Sequence, residues 1–285
     1  MINTFFLKLL NKLNLLEKLN VKVPISIEGE LFTIPVIGKS GYSNVFMSEP
    51  WMIGLLHKIL ALNEGTFVDV GVNIGQTLLK LRSVNKDVNY VGFEPNPFCV
   101  NYSSTLIEIN KIQNSVLMPF GVSNKTEVGV LNFFAKGATD STASMISDFR
   151  PDQKIERKVF IPLFECNEIS RHLGDKVGFL KIDVEGAELE VLQSFKERIK
   201  KDNPFIFIEI LPVYTADNNT RLTRQAKIEE ILKECDYSIM RIIKEDNHVS
   251  QLDRLDSFGI HSNLEYCDYV CVPNFMAEKV VSIKY

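Results

Sequence analysis

Paired cysteines are missing from this sequence. Cys99, Cys166, Cys235, Cys267 and Cys271 are odd in number and none is spaced C-x-x-C, so no disulfide framework organises the fold. Cys267 and Cys271 fall on an expected strand, where an offset of four turns both thiols to one face. With no histidine or second cysteine pair beside them, buried free thiols are expected. No run reaches the roughly 18 apolar residues that cross a bilayer, and no small-residue cleavage site follows the N-terminal stretch. A cytoplasmic protein is the expectation. Basic charge is also scarce: 32 Lys and Arg against 36 Asp and Glu leave a net charge of −4, no field to hold nucleic acid. The sequence has neither G-x-G-x-x-G nor a Tyr-x-x-x-Lys pair near the expected sheet, which argues against an NAD- or nucleotide-sugar-binding oxidoreductase. His57, His172, His248 and His261 all lie outside the motifs described next.

What is present is one α/β core's worth of apolar residues, 45% of 285. The stretch 65–77 reads as a buried strand, a glycine turn at Gly71 and Gly75, and a helix start from Thr77. Asp69 precedes the turn at the strand end. A carboxylate there repels a pyrophosphate but suits a cofactor carrying an ammonium and a sulfonium, such as S-adenosylmethionine. About 20 residues on, Tyr90 to Glu94 is a short apolar run ending in an acid, the distance at which such folds place a carboxylate on ribose hydroxyls. Glu94 is the expected ribose ligand, with Pro95 stiffening the next turn. Asp69 and Gly71 are expected near the methionine part, Asn73 and Gly75 shaping the turn, and Asn96 with Gly121, Val122 and Ser123 facing the adenine.

Three blocks, Asp69 to Gly75, Phe93 to Pro97, and Lys181 to Glu188, resemble the signatures of the FkbM-type S-adenosylmethionine-dependent methyltransferases, over about residues 45 to 215. Val72 stands where that family usually has alanine. Phe164 to Glu168 replaces its Thr-Leu-Asp-like segment, a change expected to bear on the substrate side. The resemblance implies a class I methyltransferase fold: a Rossmann-like sandwich with a mainly parallel seven-stranded sheet whose last strand is antiparallel. It also implies O-methylation of a sugar hydroxyl on a glycan, polysaccharide precursor or glycosylated small molecule. A non-catalytic partner protein of the same fold is the third reading, opposed by intact Asp69, Glu94 and Asp183.

Along the chain, strands are expected at 66–71, 89–94, 115–121, 177–183, 204–211, 237–244 and 266–273, with helices near 75–83, 97–110, 187–200 and 221–235. Val128 to Ala135 and Lys158 to Leu163 read as extra strands, and Thr220 or Asn219 as a helix cap. Residues 1–48 form an extension to a catalytic domain at 49–285. Within it, residues 3–20 read as an amphipathic helix with Phe6, Leu9, Leu10, Leu13, Leu16 and Leu19 on its apolar face, and 21–37 as a hairpin turning at Gly29. Docking on the domain or on a second copy is favoured for that helix, with peripheral membrane contact the alternative.

Carboxylates at strand ends converge on one crevice in such sheets. Asp183 is expected at the transferring methyl, with Glu185 and Glu209 as further catalytic candidates. A hydroxyl acceptor needs its proton removed, by a side-chain base or by a metal. A metal-free base is preferred, Mg²⁺ on Asp183 and Glu209 being the alternative. The loop from Gly137 to Met145 is small, hydroxyl-rich and suited to a polar acceptor.

Overall fold

The computed structural model describes residues 4–13, 15–135, 137, 139–140, 142–146 and 152–283. The extension comes first: helix α1 (Thr4–Lys12), a 3₁₀ turn at Leu16–Lys18, strands β1 (Asn20–Ile27) and β2 (Glu30–Ile37), and the single turn α2 (Tyr42–Val45). β1 and β2 pair antiparallel from Ile27↔Glu30 to Asn20↔Ile37. Glu28 and Gly29 between them both have positive φ, 51° and 81°, the requirement of a two-residue primed hairpin turn.

The rest of the chain follows as α3 (Trp51–Ile59), β3 (Thr66–Val70), α4 (Gln76–Val84), β4 (Tyr90–Phe93), α5 (Pro97–Asn110) and β5 (Ser115–Met118). Then come β6 (Gly121–Val122), β7 (Glu127–Phe133), β8 (Arg157–Phe164), the turn α6 (Cys166–Ile169), β9 (Val177–Ile182) and α7 (Glu188–Asp202). β10 (Phe205–Glu209), α8 (Asn219–Glu234), β11 (Tyr237–Glu245), β12 (His248–Leu255), β13 (Asp268–Pro273) and α9 (Asn274–Val281) close the described chain.

The main sheet runs β12-β11-β13-β10-β9-β3-β4-β5. β3, β4, β5, β9 and β10 are mutually parallel, and β13 enters antiparallel between β10 and β11. This is the α/β class expected, with one strand more than seven. β12 is the addition, a hairpin partner of β11 whose turn, Asp246 and Asn247, has φ of 49° and 64°. β3 and β9 are buried along their whole length, as strands covered by helices on both faces must be. On one face Phe67 stacks on Phe179, Phe207 and Tyr90 at centroid distances of 5.9, 6.1 and 6.3 Å, a cross-strand aromatic row that pins the register. The expected strand 115–121 breaks at Pro119, which has no N–H to give the ladder. Gly121 and Val122 instead join β8 and β7 in a separate three-stranded sheet. α8 begins two residues earlier than expected, and its cap is Asn218, accepting from the Arg221 amide at 3.1 Å.

The N-terminal segment departs from a single helix over 3–20. α1 ends at Lys12, and of the expected apolar face Leu10 and Leu16 are buried, together with Leu7, whereas Phe6, Leu9, Leu13 and Leu19 are exposed. The extension shares a core with α4 and α5, in which Leu7, Leu16, Ile34 and Val36 meet Ile74, Leu79, Tyr102 and Leu106. Polar ties fix the join: Tyr102 Oη donates to the Pro35 carbonyl at 2.8 Å, and Asn110 exchanges bonds of 2.6 and 2.9 Å with Thr33. The extension is thereby held against the glycine turn. All five cysteines are free and buried, and no described helix is long and apolar enough to cross a membrane.

Candidate active site

The carboxyl ends of β3, β4, β9 and β10 meet at one end of the main sheet, where parallel-sheet proteins bind ligands. A cavity of about 1430 Å³ opens there. That exceeds the roughly 300–1,000 Å³ of a single small-molecule site, so two reactants fit. Among the described residues its wall carries seven acidic side chains, from Glu17 at the rim to Asp183 and Glu209 at the floor, against one basic side chain, Lys39. The chamber therefore favours a cation over an anion.

Gly71 has φ 98°, and a Cβ there would stand 1.8 Å from the Asp183 carbonyl oxygen. Only glycine lets β3 turn while lying against the end of β9. Asn73 follows in the left-handed region at φ 49°. Its amide donates to Glu94 Oε2 at 2.7 Å, its carbonyl accepts from Ser103, and Gly75 then opens α4 at φ 77°. Glu94 Oε1 accepts from the Asn96 amide, also at 2.7 Å. Burial pushes the Glu94 carboxyl up to about 7, against the pull of those two amides. Each carboxylate oxygen has a second lone pair, so Glu94 can still accept from two hydroxyls on the cavity side. Asn96 lines the cavity but its Oδ1 caps α5 through the Phe98 amide at 3.0 Å. Pro95, Gly121 and Val122 lie on the same wall.

Two predicted residues lie off that wall. Asp69 is fully buried beneath the floor, where Oδ2 accepts from Tyr90 Oη at 2.7 Å and Oδ1 sits 3.6 Å from Lys181 Nζ. Burial raises its carboxyl, with Lys181 opposing. Ser123 is buried beside Phe164, its amide bonded to that residue's carbonyl at 3.0 Å. The variant segment Phe164 to Glu168 also stays off the cavity: Cys166 is buried and its amide is held by Ser194 at 2.7 Å.

At the floor, Asp183 Oδ2 lies 3.0 Å from Lys181 Nζ, and the Glu209 carboxyl hydrogen-bonds Asp183. Two adjacent carboxyls cannot both ionise cheaply. Burial and the Asp183 charge push Glu209 up to about 9, whereas burial notwithstanding, Lys181 and that hydrogen bond hold Asp183 below its usual value. At neutral pH Glu209 keeps the proton and Asp183 is the anion. The pair does not fit the Mg²⁺ alternative, because one carboxyl is protonated and the other is held by an ammonium. Among the described residues no cluster of three or more His, Cys, Asp or Glu is arranged to hold a metal. Glu185 lines the same wall at φ 52°, its carbonyl accepting from Ser144 at 2.5 Å.

Sequence reasoning missed the third wall, which the extension supplies. Ser40 Oγ lies 3.1 Å from Thr139 Oγ1, joining the extension to the small-residue loop across the mouth. Asp140 shapes that loop by accepting from the amides of Phe134, Ala135 and Thr142; Ala138 and Ser141 of the same loop lie outside the described residues. Gln76 reaches Ser48 at 2.7 Å, and buried Lys80 pairs with Glu49 at 2.8 Å.

With that geometry in view, the sequence profile of the methyltransferase FkbM domain matches residues 69–239. The chain belongs to the FkbM methyltransferase family. No curated protein matches it. Among solved structures, the FkbM methyltransferase of Methylobacillus flagellatus KT is 19% identical at a TM-score of 0.44, over 73% of this chain and 43% of that one. This FkbM-family chain thus spans under half of that protein's length. A SAM dependent methyltransferase from Aquifex aeolicus is 13% identical at a TM-score of 0.41, covering 81% and 92% of the two chains. Precorrin-6y C5,15-methyltransferase from Geobacter metallireducens is 12% identical at 0.35, covering 77% and 86%.

Proposed function

We propose that this protein transfers a methyl group from S-adenosylmethionine to a hydroxyl of a neutral sugar, on a glycan, a polysaccharide precursor or a glycosylated small molecule. The observation that carries the reading is the Glu94 cradle on the wall of an acid-lined cavity at the strand ends. Its open lone pairs suit a vicinal diol, and the surrounding carboxylates suit a cationic cofactor. When bound, S-adenosylmethionine supplies an electrophilic methyl carbon.

The chain's own residues divide the rest of the work. Glu94 and the turn from Gly71 to Gly75 hold the adenosine end. Asp183, ionised and aimed by Lys181 and Glu209, takes the acceptor's hydroxyl proton, and Lys181 keeps its charge from being repelled by Asp69 below. Glu209 remains protonated below about pH 9 and positions Asp183. The Ser40–Thr139 bridge narrows the mouth, and Thr142 and Ser48 on the wall offer hydroxyls to a polyol. Holding the acceptor oxygen in line with the methyl is the largest contribution available to such an enzyme. The acidic wall disfavours phosphorylated or carboxylated acceptors, which is why the sugar is neutral.

Incubation with methyl-labelled S-adenosylmethionine and a panel of neutral and anionic oligosaccharides tests this. Label is expected in an ether on a neutral sugar. Cofactor binding without transfer to any hydroxyl acceptor would turn the reading toward a non-catalytic partner, and tight NAD binding would overturn it.

A further inference from the structure

Helix α1 is apolar on more than the face it buries. Leu7, Leu10 and Leu16 are docked into the core, yet Phe6, Leu9 and Leu13 stand 48%, 42% and 56% exposed. At 100° per residue these three fall within about 60° of one another on the helix; the Leu13 amide continues the helical bonding to the Leu9 carbonyl at 3.0 Å. Leu15 and Leu19 extend the exposed apolar surface at 44% and 36%. Lys12 is exposed beside the strip, Lys8 lies further round the helix with its ammonium 4.9 Å from the Phe46 ring centroid, Lys18 is exposed in the turn that follows, and no acidic residue precedes Glu17.

We propose that this N-terminal segment lies on an anionic lipid bilayer, with Phe6, Leu9 and Leu13 in the acyl boundary and the lysines at the headgroups. Charge complementarity selects that occupant. A second copy meeting the same patch across a two-fold axis sets lysines against lysines, whereas an anionic leaflet answers both the apolar strip and the local cations. The site geometry gives the docking a use. Asn11, on the side of α1 turned away from that strip, and Glu17, just after it, line the active-site cavity, so a chain seated on its N-terminal segment carries the cavity about one helix diameter, roughly 10 Å, above the lipid surface. An acceptor that is tethered to lipid and projects by that distance then reaches the site; this last consequence rests on the methyltransferase reading, whereas the docking does not.

Flotation of the full-length protein with vesicles tests it, using phosphatidylcholine alone and phosphatidylcholine mixed with phosphatidylglycerol. Binding is expected to the mixed vesicles only and to weaken with added salt. The triple variant Phe6→Ser, Leu9→Ser, Leu13→Ser is expected to lose at least about tenfold in bound fraction, with unchanged circular dichroism and S-adenosylhomocysteine affinity. Absence of binding to anionic vesicles, or equal binding by the triple variant, overturns the proposal. A dimer in ultracentrifugation that the triple variant dissolves overturns it in favour of a second copy. Because no acceptor is present in the assay, a wrong choice of acceptor leaves the outcome untouched.

Discussion

Glu94 offers the sharpest perturbation, because one carboxyl is asked both to bind a ligand and to stay buried without one. It is 6% exposed, accepts two backbone amides at 2.7 Å, and its carboxyl is raised from 4.5 to about 7 by burial. The sign follows from linkage. Between those two values the folded protein binds the proton that the unfolded chain has released, so stability falls as pH rises through the window. At 1.36 kcal/mol per unit the loss amounts to about 3 kcal/mol. Glu94→Gln cannot ionise and has no such slope. It does turn an amide nitrogen toward one of the two donors, a pH-independent penalty of about 1–3 kcal/mol. Urea unfolding of both proteins without ligand at pH 5 and pH 8 reads the difference. The variant is expected to gain about 3 kcal/mol relative to wild type between the two conditions. At pH 8, calorimetry with S-adenosylhomocysteine is expected to show an affinity loss of about 10- to 100-fold in the variant, the scale of a lost charge-assisted bond. Parallel stability profiles would refute the buried-charge account, and unchanged affinity would remove Glu94 from the cofactor site.

Gly71→Ala is expected to lose cofactor binding and melting temperature together, since the new Cβ meets backbone oxygen of Asp183 at 1.8 Å; a stable variant with normal affinity would show that β3 and β9 can part without cost. Asp183→Asn is expected to lower kcat by about 10²-fold or more with little change in cofactor affinity, as removal of a general base does; wild-type turnover would exclude it. Glu209→Gln keeps a donor toward Asp183 and is expected to stay within a few-fold of wild type near pH 7, while Glu209→Ala loses about tenfold, the worth of the positioning bond. A loss of about 10² in the Gln variant as well would make Glu209 the base instead.

Much of the site could be read along the chain because its parts are local. Gly71, Asn73 and Gly75 must take left-handed or tightly packed backbone within a few residues of a strand end, and glycine and asparagine are the residues that do so. Asn96 before Pro97 announces α5 in the same local way, and its cap forms as such a pair requires. The hairpin to β12 is local too: Asp246 and Asn247 between β11 and β12 are residue types that tolerate the positive φ its turn requires. What could not be read is whatever depends on the layer stacked above a strand end. Asp69 has the sequence position of a cofactor ligand, yet it is buried between neighbouring strands, where Tyr90 hydrogen-bonds one carboxylate oxygen and the Lys181 ammonium faces the other at 3.6 Å.

Lysines carried the overlooked signal. Lys181 interrupts the apolar run of β9 and Lys80 that of α4, and a lysine is almost never buried unless it is paired. Each is at or below 8% exposure and each has an acid as partner, Asp183 and Asp69 for the one and Glu49 for the other. A lysine in the middle of an otherwise buried element therefore implies a carboxylate at a neighbouring strand end or in the segment above it. That inference, applied to this sequence, leads from Lys181 to the Asp183 floor and from Lys80 to Glu49, and so to the wall that the extension contributes. The Asp183–Glu209 pair and the extension are linked by the same electrostatic requirement: buried Lys181 and buried Lys80 are each matched by a carboxylate on the cavity wall, Asp183 for the one and Glu49 for the other.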